Sequence, residues 1–204
     1  MNLEYSFLIL YIVYKKNNNN MKYIKLFEDF EGDNGLDTTK LSSLIKSKSF
    51  KEAGDLYLSH VESLGYRSSF LQDFADTLVE VSKNLGINQD DIEAEDDYQG
   101  SGSGFSVRMD QAKVEIWNNS NEVGTISGEV KILHAWTNAV LYQGKLELTE
   151  EGGVSRNSYG EEEFEGDNKL EVYFDFEDFF KSFEEGLRIF NDTDLYNAWS
   201  AKNG

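Results

Sequence analysis

Residues 105–148 read FSVRMDQAKVEIWNNSNEVGTISGEVKILHAWTNAVLYQGKLEL, and the fold of this chain is decided there. Phe105, Val107 and Met109 alternate with Ser106 and Arg108; past Asp110 and Gln111, Val114 and Ile116 alternate with Lys113 and Glu115. Period-two alternation puts one set of side chains on each face of a pleated strand, so these two runs predict a hairpin with one buried face. Asn118 to Asn121 supplies turn residues, and Ile126, Gly128, Val130 and Ile132 resume the alternation as far as His134. Beyond a turn at Trp136 to Asn138, the residues Val140, Tyr142, Gly144, Leu146 and Leu148 make a fourth strand, and Leu170, Val172 and Phe174 a fifth. Short connections between successive strands predict an antiparallel β-meander of about five strands.

Such a sheet needs a cover for its apolar face. Phe176, Phe179, Phe180, Phe183, Leu187 and Phe190 recur at helical spacing and form an aromatic stripe suited to that task. Upstream, Asp37 caps a short helix carrying Leu41, Leu44 and Ile45. Ser49 and Glu52 have the spacing of a capping box ahead of Phe50, Ala53, Tyr57, Val61 and Leu64, a stripe that stops at Gly65. Ser69 and Gln72 repeat the device ahead of Phe70, Phe74, Leu78, Val81 and Leu85, which end at Gly86. The expected class is therefore α+β: an N-terminal helical hairpin, then the meander, then a C-terminal helix over it. The segment 89–97 reads as polar and acidic, and Gly100-Ser101-Gly102-Ser103-Gly104 as a flexible hinge inside a single domain over residues 36–204.

Composition limits the functions open to this fold. The 204 residues carry 38 acidic and 19 basic side chains, a net charge of -19, which repels a phosphate backbone. Nucleic acid is thereby excluded as an ordinary partner; solubility is the plain consequence of the charge, and a partner protein with a basic surface is the specific one. No cysteine is present, which removes disulfides, thiolate metal sites and a cysteine nucleophile together. Proline is absent too, so the turns fall to Gly, Asn, Asp and Ser.

No catalytic constellation emerges from the remaining residues, and a non-enzymatic protein without cofactor or metal is expected. His60 and His134 are the two histidines, far apart in the chain, each beside apolar residues and read as packing side chains. The glycine run at 100–104 has neither the spacing nor the following helix of a phosphate loop. Between Glu150 and Glu185 thirteen carboxylates face three basic residues, with Glu161, Glu162, Glu163, Glu165 and Asp167 concentrated in one stretch. No part of it has the ligand spacing of a calcium loop, so it reads as a solvated acidic loop and a candidate interaction surface.

The first residues follow a separate logic. Tyr5 to Tyr14, YSFLILYIVY, is strongly apolar, but ten helical residues span ~15 Å against a hydrocarbon core of ~30 Å. With Glu4 before it and Lys15 and Lys16 after it, the run also lacks the layout of a secretion signal, so neither membrane insertion nor secretion is expected. The tetrad Asn17 to Asn20 then gives way at Met21 to MKYIKLFEDFEG. Two readings of residues 1–20 stand side by side: a non-native leader ahead of a true start at Met21, or an extra strand or buried helix over Leu3 to Tyr14.

In the segment 21–35, Tyr23, Ile24, Phe27 and Phe30 recur at helical spacing, with Lys22 and Lys25 early and Glu28, Asp29 and Glu31 late. Over about eleven residues, Met21 to Glu31 resembles the capsid-targeting peptides of internal head proteins in T4-like tailed phages. The resemblance implies a bacteriophage protein in the virion head or host cytoplasm, an address peptide that binds the head scaffold, and removal by a prohead protease after Leu26-Phe27-Glu28 to leave Asp29 first. Leu78-Val79-Glu80 and Leu148-Thr149-Glu150 match the same Leu-x-Glu pattern.

Overall fold

The computed structural model describes residues 35–64, 70–99, 102–120, 125–156 and 162–203, with the side chains of 97–103 and 150–170 outside the description. The segment Met21 to Glu31, with Leu26, Phe27, Glu28 and Asp29, lies outside the described residues, as does the apolar run before it.

The helix α1 spans Thr38–Lys46, and Asp37 caps it by accepting a hydrogen bond from the Lys40 backbone N–H at 2.8 Å. The helices α2, Phe50–Leu64, and α3, Phe70–Leu85, follow. Gly86 closes α3 with φ +103°, and the Ile87 N–H reaches back to the Ser82 carbonyl at 3.0 Å, a left-handed C-cap that a side chain would strain. At the start of α2 the Ser49 hydroxyl is engaged by Ser47 Oγ at 3.3 Å.

Among the described residues the sheet has six strands in the order β1-β2-β3-β4-β5-β6, every neighbour antiparallel. Its strands are β1 Ile92–Gln99, β2 Gly102–Met109, β3 Ala112–Asn118, β4 Thr125–His134, β5 Val140–Arg156 and β6 Glu162–Tyr173. The meander expected from the alternation is thus present, with β1 added at its start. The sequence IEAEDDYQ conceals that strand because β1 is an edge: its charges face water and discourage pairing with another chain. The hinge expected at 100–104 is corrected likewise. Gln99 pairs with Gly102 and Asp97 with Gly104, so Gly102, Ser103 and Gly104 belong to β2, while Gly100 and Ser101 lie outside the described residues.

The acidic stretch is corrected as well. Glu162, Glu163, Glu165 and Asp167 belong to β6, not to a loop, while Glu161 lies outside the described residues. Register fixes their neighbours: Arg156 opposite Glu162, Ser155 opposite Glu163 and Gly153 opposite Glu165. Among the described residues the ladder between β4 and β5 ends at the pair Thr125 and Thr149, and β5 from residue 150 onward pairs with β6.

The helix α4, Phe176–Phe190, buries Phe176, Phe179, Phe180, Phe183, Leu187 and Phe190 as the stripe predicts. It runs close to β4, since a Cβ on Gly186 would stand 2.8 Å from Ile132 Cγ2. The α3 helix covers β1 and β2, and α2 lies along α4, with α1 against α3. Gly54 permits that second approach, because a Cβ there would come within 2.9 Å of the Glu177 backbone nitrogen. A last helix, α5 (Thr193–Asn203), packs on the end of α4 and buries no residue.

Candidate functional site

The sequence places Tyr57 and His60 one helical turn apart on α2, so both side chains point the same way. The structure sets them against Asp73 in the first turn of α3. Tyr57 donates its hydroxyl to Asp73 Oδ2 at 3.2 Å, and His60 Nε2 lies 3.1 Å and 3.2 Å from the two carboxylate oxygens. A carboxylate only accepts, so the proton of the neutral ring sits on Nε2. Burial, then the Asp73 charge and its hydrogen bond, push the Tyr57 phenol well above its ordinary range. Its ring packs on Phe74, Phe176 and Phe180 with centroids 4.9–5.9 Å away.

A histidine oriented by a carboxylate is half of a nucleophilic triad, but among the described residues no hydroxyl is placed to complete it. Ser59 and Ser63 spend their hydroxyls on the carbonyls of Asp55 and His60. Tyr57 is held neutral inside the core. The cluster therefore works as a polar clasp joining α2 to α3. Sequence reading took Tyr57 and His60 for packing residues and missed Asp73, although its position three residues after Phe70 on the same helix was the available signal.

His134 sits at the end of β4, where the chain turns into β5. Its Nδ1 accepts from the backbone N–H groups of Trp136 and Thr137, both at 3.3 Å. Its ring stacks on Tyr196 of α5 at 4.2 Å and meets the edge of Phe190 at 5.5 Å. Burial lowers its pKa from the ordinary value. The structure does not bring the two histidines together, and among the described residues no three His, Cys, Asp or Glu side chains are grouped to hold a metal.

The sheet face turned away from the helices is charged. Arg108 pairs with Glu93, Lys113 with Glu115, Lys131 with Glu129 and Lys145 with Glu147, at 2.7–2.8 Å. A shallow, open cleft of about 650 Å³ lies there, lined by Asn119, Ser127, Gly128, Glu129, Gln143, Gly144 and Lys145. Its two lining charges, Glu129 and Lys145, are already neutralised by neighbours on the same strands.

The Leu-x-Glu matches differ in surroundings. Leu78 is wholly buried in α3 and Leu148 wholly buried in β5. Among the described residues no helix is long and apolar enough to cross a membrane. Comparison of the chain with protein-family models, with curated proteins and with solved structures gives no match.

Proposed function

We propose that this chain is a non-enzymatic bacteriophage protein carried in the virion head, with Met21 to Glu31 as its address peptide and Glu28–Asp29 as the bond cut during head maturation. The observation that supports this reading is the burial of the two competing Leu-x-Glu matches. A protease needs its target in an extended, accessible conformation, and Leu78 and Leu148 are inaccessible while the core is folded. Leu26-Phe27-Glu28 precedes the Asp37 cap of α1, and the described core residues, Leu41 onward, all follow it. Cutting there leaves every described core residue in place. It also removes Lys15, Lys16, Lys22 and Lys25 against only Glu4 and Glu28, leaving a more acidic folded unit.

The test is N-terminal sequencing and intact mass of the protein from purified particles. Asp29 as the first residue is the expected result, and Glu28→Gln should leave the peptide attached. Particles holding only uncut protein would overturn the maturation step.

The net charge of -19 favours a second reading, an acidic module that occupies a basic protein surface and imitates the charge of DNA on a nuclease or repair enzyme. The β5–β6 ribbon, carrying Glu162, Glu163, Glu165 and Asp167, would be its contact element. Binding to a basic host protein that weakens with salt is expected on this reading; absence of binding at low ionic strength eliminates it.

A further inference from the structure

The α5 helix is attached in an unusual way. It buries no residue, and its hold on the rest of the molecule passes through the half-buried rings of Tyr196 and Trp199. Trp199 meets the edge of Phe190 at 5.5 Å, Tyr196 stacks on His134 at 4.2 Å, and the Tyr196 hydroxyl bonds Thr137 Oγ1 at 2.7 Å. Thr137 is itself positioned by His134, whose Nδ1 accepts its backbone N–H. One imidazole therefore supports α5 twice, through its ring face and through the turn that presents Thr137.

We propose that α5 is a latch held closed by the neutral ring of His134 and released when that ring is protonated. The lone pair on Nδ1 is what the Trp136 and Thr137 N–H groups bond. A proton there turns the acceptor into a donor aimed at two donors, and leaves a buried cation. A cation stacked on Tyr196 recovers a part of this, but the face of a single phenol does not replace two acceptor contacts and lost solvation.

The charged groups on the surrounding elements are committed elsewhere. On the β2–β3 turn Asp110 accepts from Gln111 Nε2; at the α4–α5 corner Asp192 accepts from the backbone of Asp194 and Leu195. Lys113 on β3 is paired with Glu115, and Arg188 on α4 lies 3.9 Å from Glu185. Arg108 rests over Trp136 at 5.4 Å while bonding Glu93, and Asp194 and Lys202 on α5 are exposed. Tyr196 is the ionisable side chain whose ring meets His134. Burial is accordingly the cause that lowers the pKa of His134.

The sign follows. The closed latch favours the neutral ring, so docking is complete above the ordinary imidazole value of about 6.5 and weakens as pH falls below it toward the lowered value. One proton is linked to opening, so the open fraction rises by at most about tenfold per pH unit in that window.

Hydrogen exchange of the full chain between pH 7.5 and 5 tests this. Protection factors in α5 should fall with pH while those of α4 and β3 hold, and His134→Asn, which keeps an acceptor for the turn without titrating, should make α5 insensitive to pH. Should His134→Asn misfold, ring-proton NMR of the unmodified protein decides the matter: Trp199 and Tyr196 signals must follow the titration of His134. Uniform protection of α5 across the range, a surviving pH response in His134→Asn, or Trp199 signals that follow His60 instead would each overturn the latch.

Discussion

The two faces of the sheet are built from the same strands, yet they contribute to the fold in opposite ways. On the inner face Val107, Val114, Ile116, Val130, Ile132, Leu146 and Leu148 are buried under α3 and α4 and join one core with the phenylalanines of α4. On the outer face the same strands carry four cation–carboxylate pairs in contact with water. Burial removes apolar area from water at ~25 cal/mol per Å², whereas an exposed ion pair is worth about 0–1 kcal/mol. Stability should therefore reside on one side, and the outer face should serve mainly to keep the sheet soluble and single.

The largest effect should come from the inner face. Phe179 touches Phe74, Phe174, Tyr142, Phe180 and Phe183 with ring centroids 5.1–5.9 Å away. Phe179→Ala should lower the stability measured by urea unfolding by ~3–5 kcal/mol. Next, a Cβ at Gly128 would collide with the Trp117 carbonyl oxygen, so Gly128→Ala must part β3 from β4. A loss of ~3 kcal/mol is expected in the same assay, and an unchanged midpoint would refute the close approach.

A smaller effect tests whether the polar clasp belongs with the inner face. Asp73→Ala strips Tyr57 and His60 of their shared acceptor and should cost ~1–3 kcal/mol. Alkaline titration probes the same side without mutation. Burial, aided by Asp178 and Asp175, pushes Tyr142 up to about 12, and burial with the Asp73 charge raises Tyr57 well above its ordinary range. A raised phenol favours the neutral form in the fold, so stability is complete below the ordinary value of about 10 and is lost as pH rises toward 12. Absorbance of the tyrosinate should show Tyr142 and Tyr57 ionising above the ordinary tyrosine range, together with unfolding. The smallest change is expected from Lys131→Ala on the outer face, below ~1 kcal/mol; a loss equal to that of Asp73→Ala would erase the distinction between the faces.

Where a strand or helix buries a continuous stripe, local pattern was enough to find it. The alternation through β2, β3, β4 and β5 and the phenylalanines of α4 were legible because each must satisfy the core at every second residue or every helical turn. Elements that bury little were not legible. The β1 strand hides behind the acidic residues an edge requires, and α5 buries nothing, so neither writes an apolar period into the chain. The glycine-serine run and the acidic stretch were misread for a related reason: composition speaks for flexibility or solvation, while hydrogen bonds to Asp97 or Gly153 depend on which strand lies alongside.

The sequence by itself determined the fold class and most of the residues of the core, since those follow from periods set by backbone geometry. The tertiary structure alone decided the functional groupings. Asp73 meets Tyr57 and His60, and His134 meets Tyr196, across sequence separations for which no local period exists. Hydrogen bonds and ring contacts act over a few ångströms, and only the packed chain brings such distant residues within that reach.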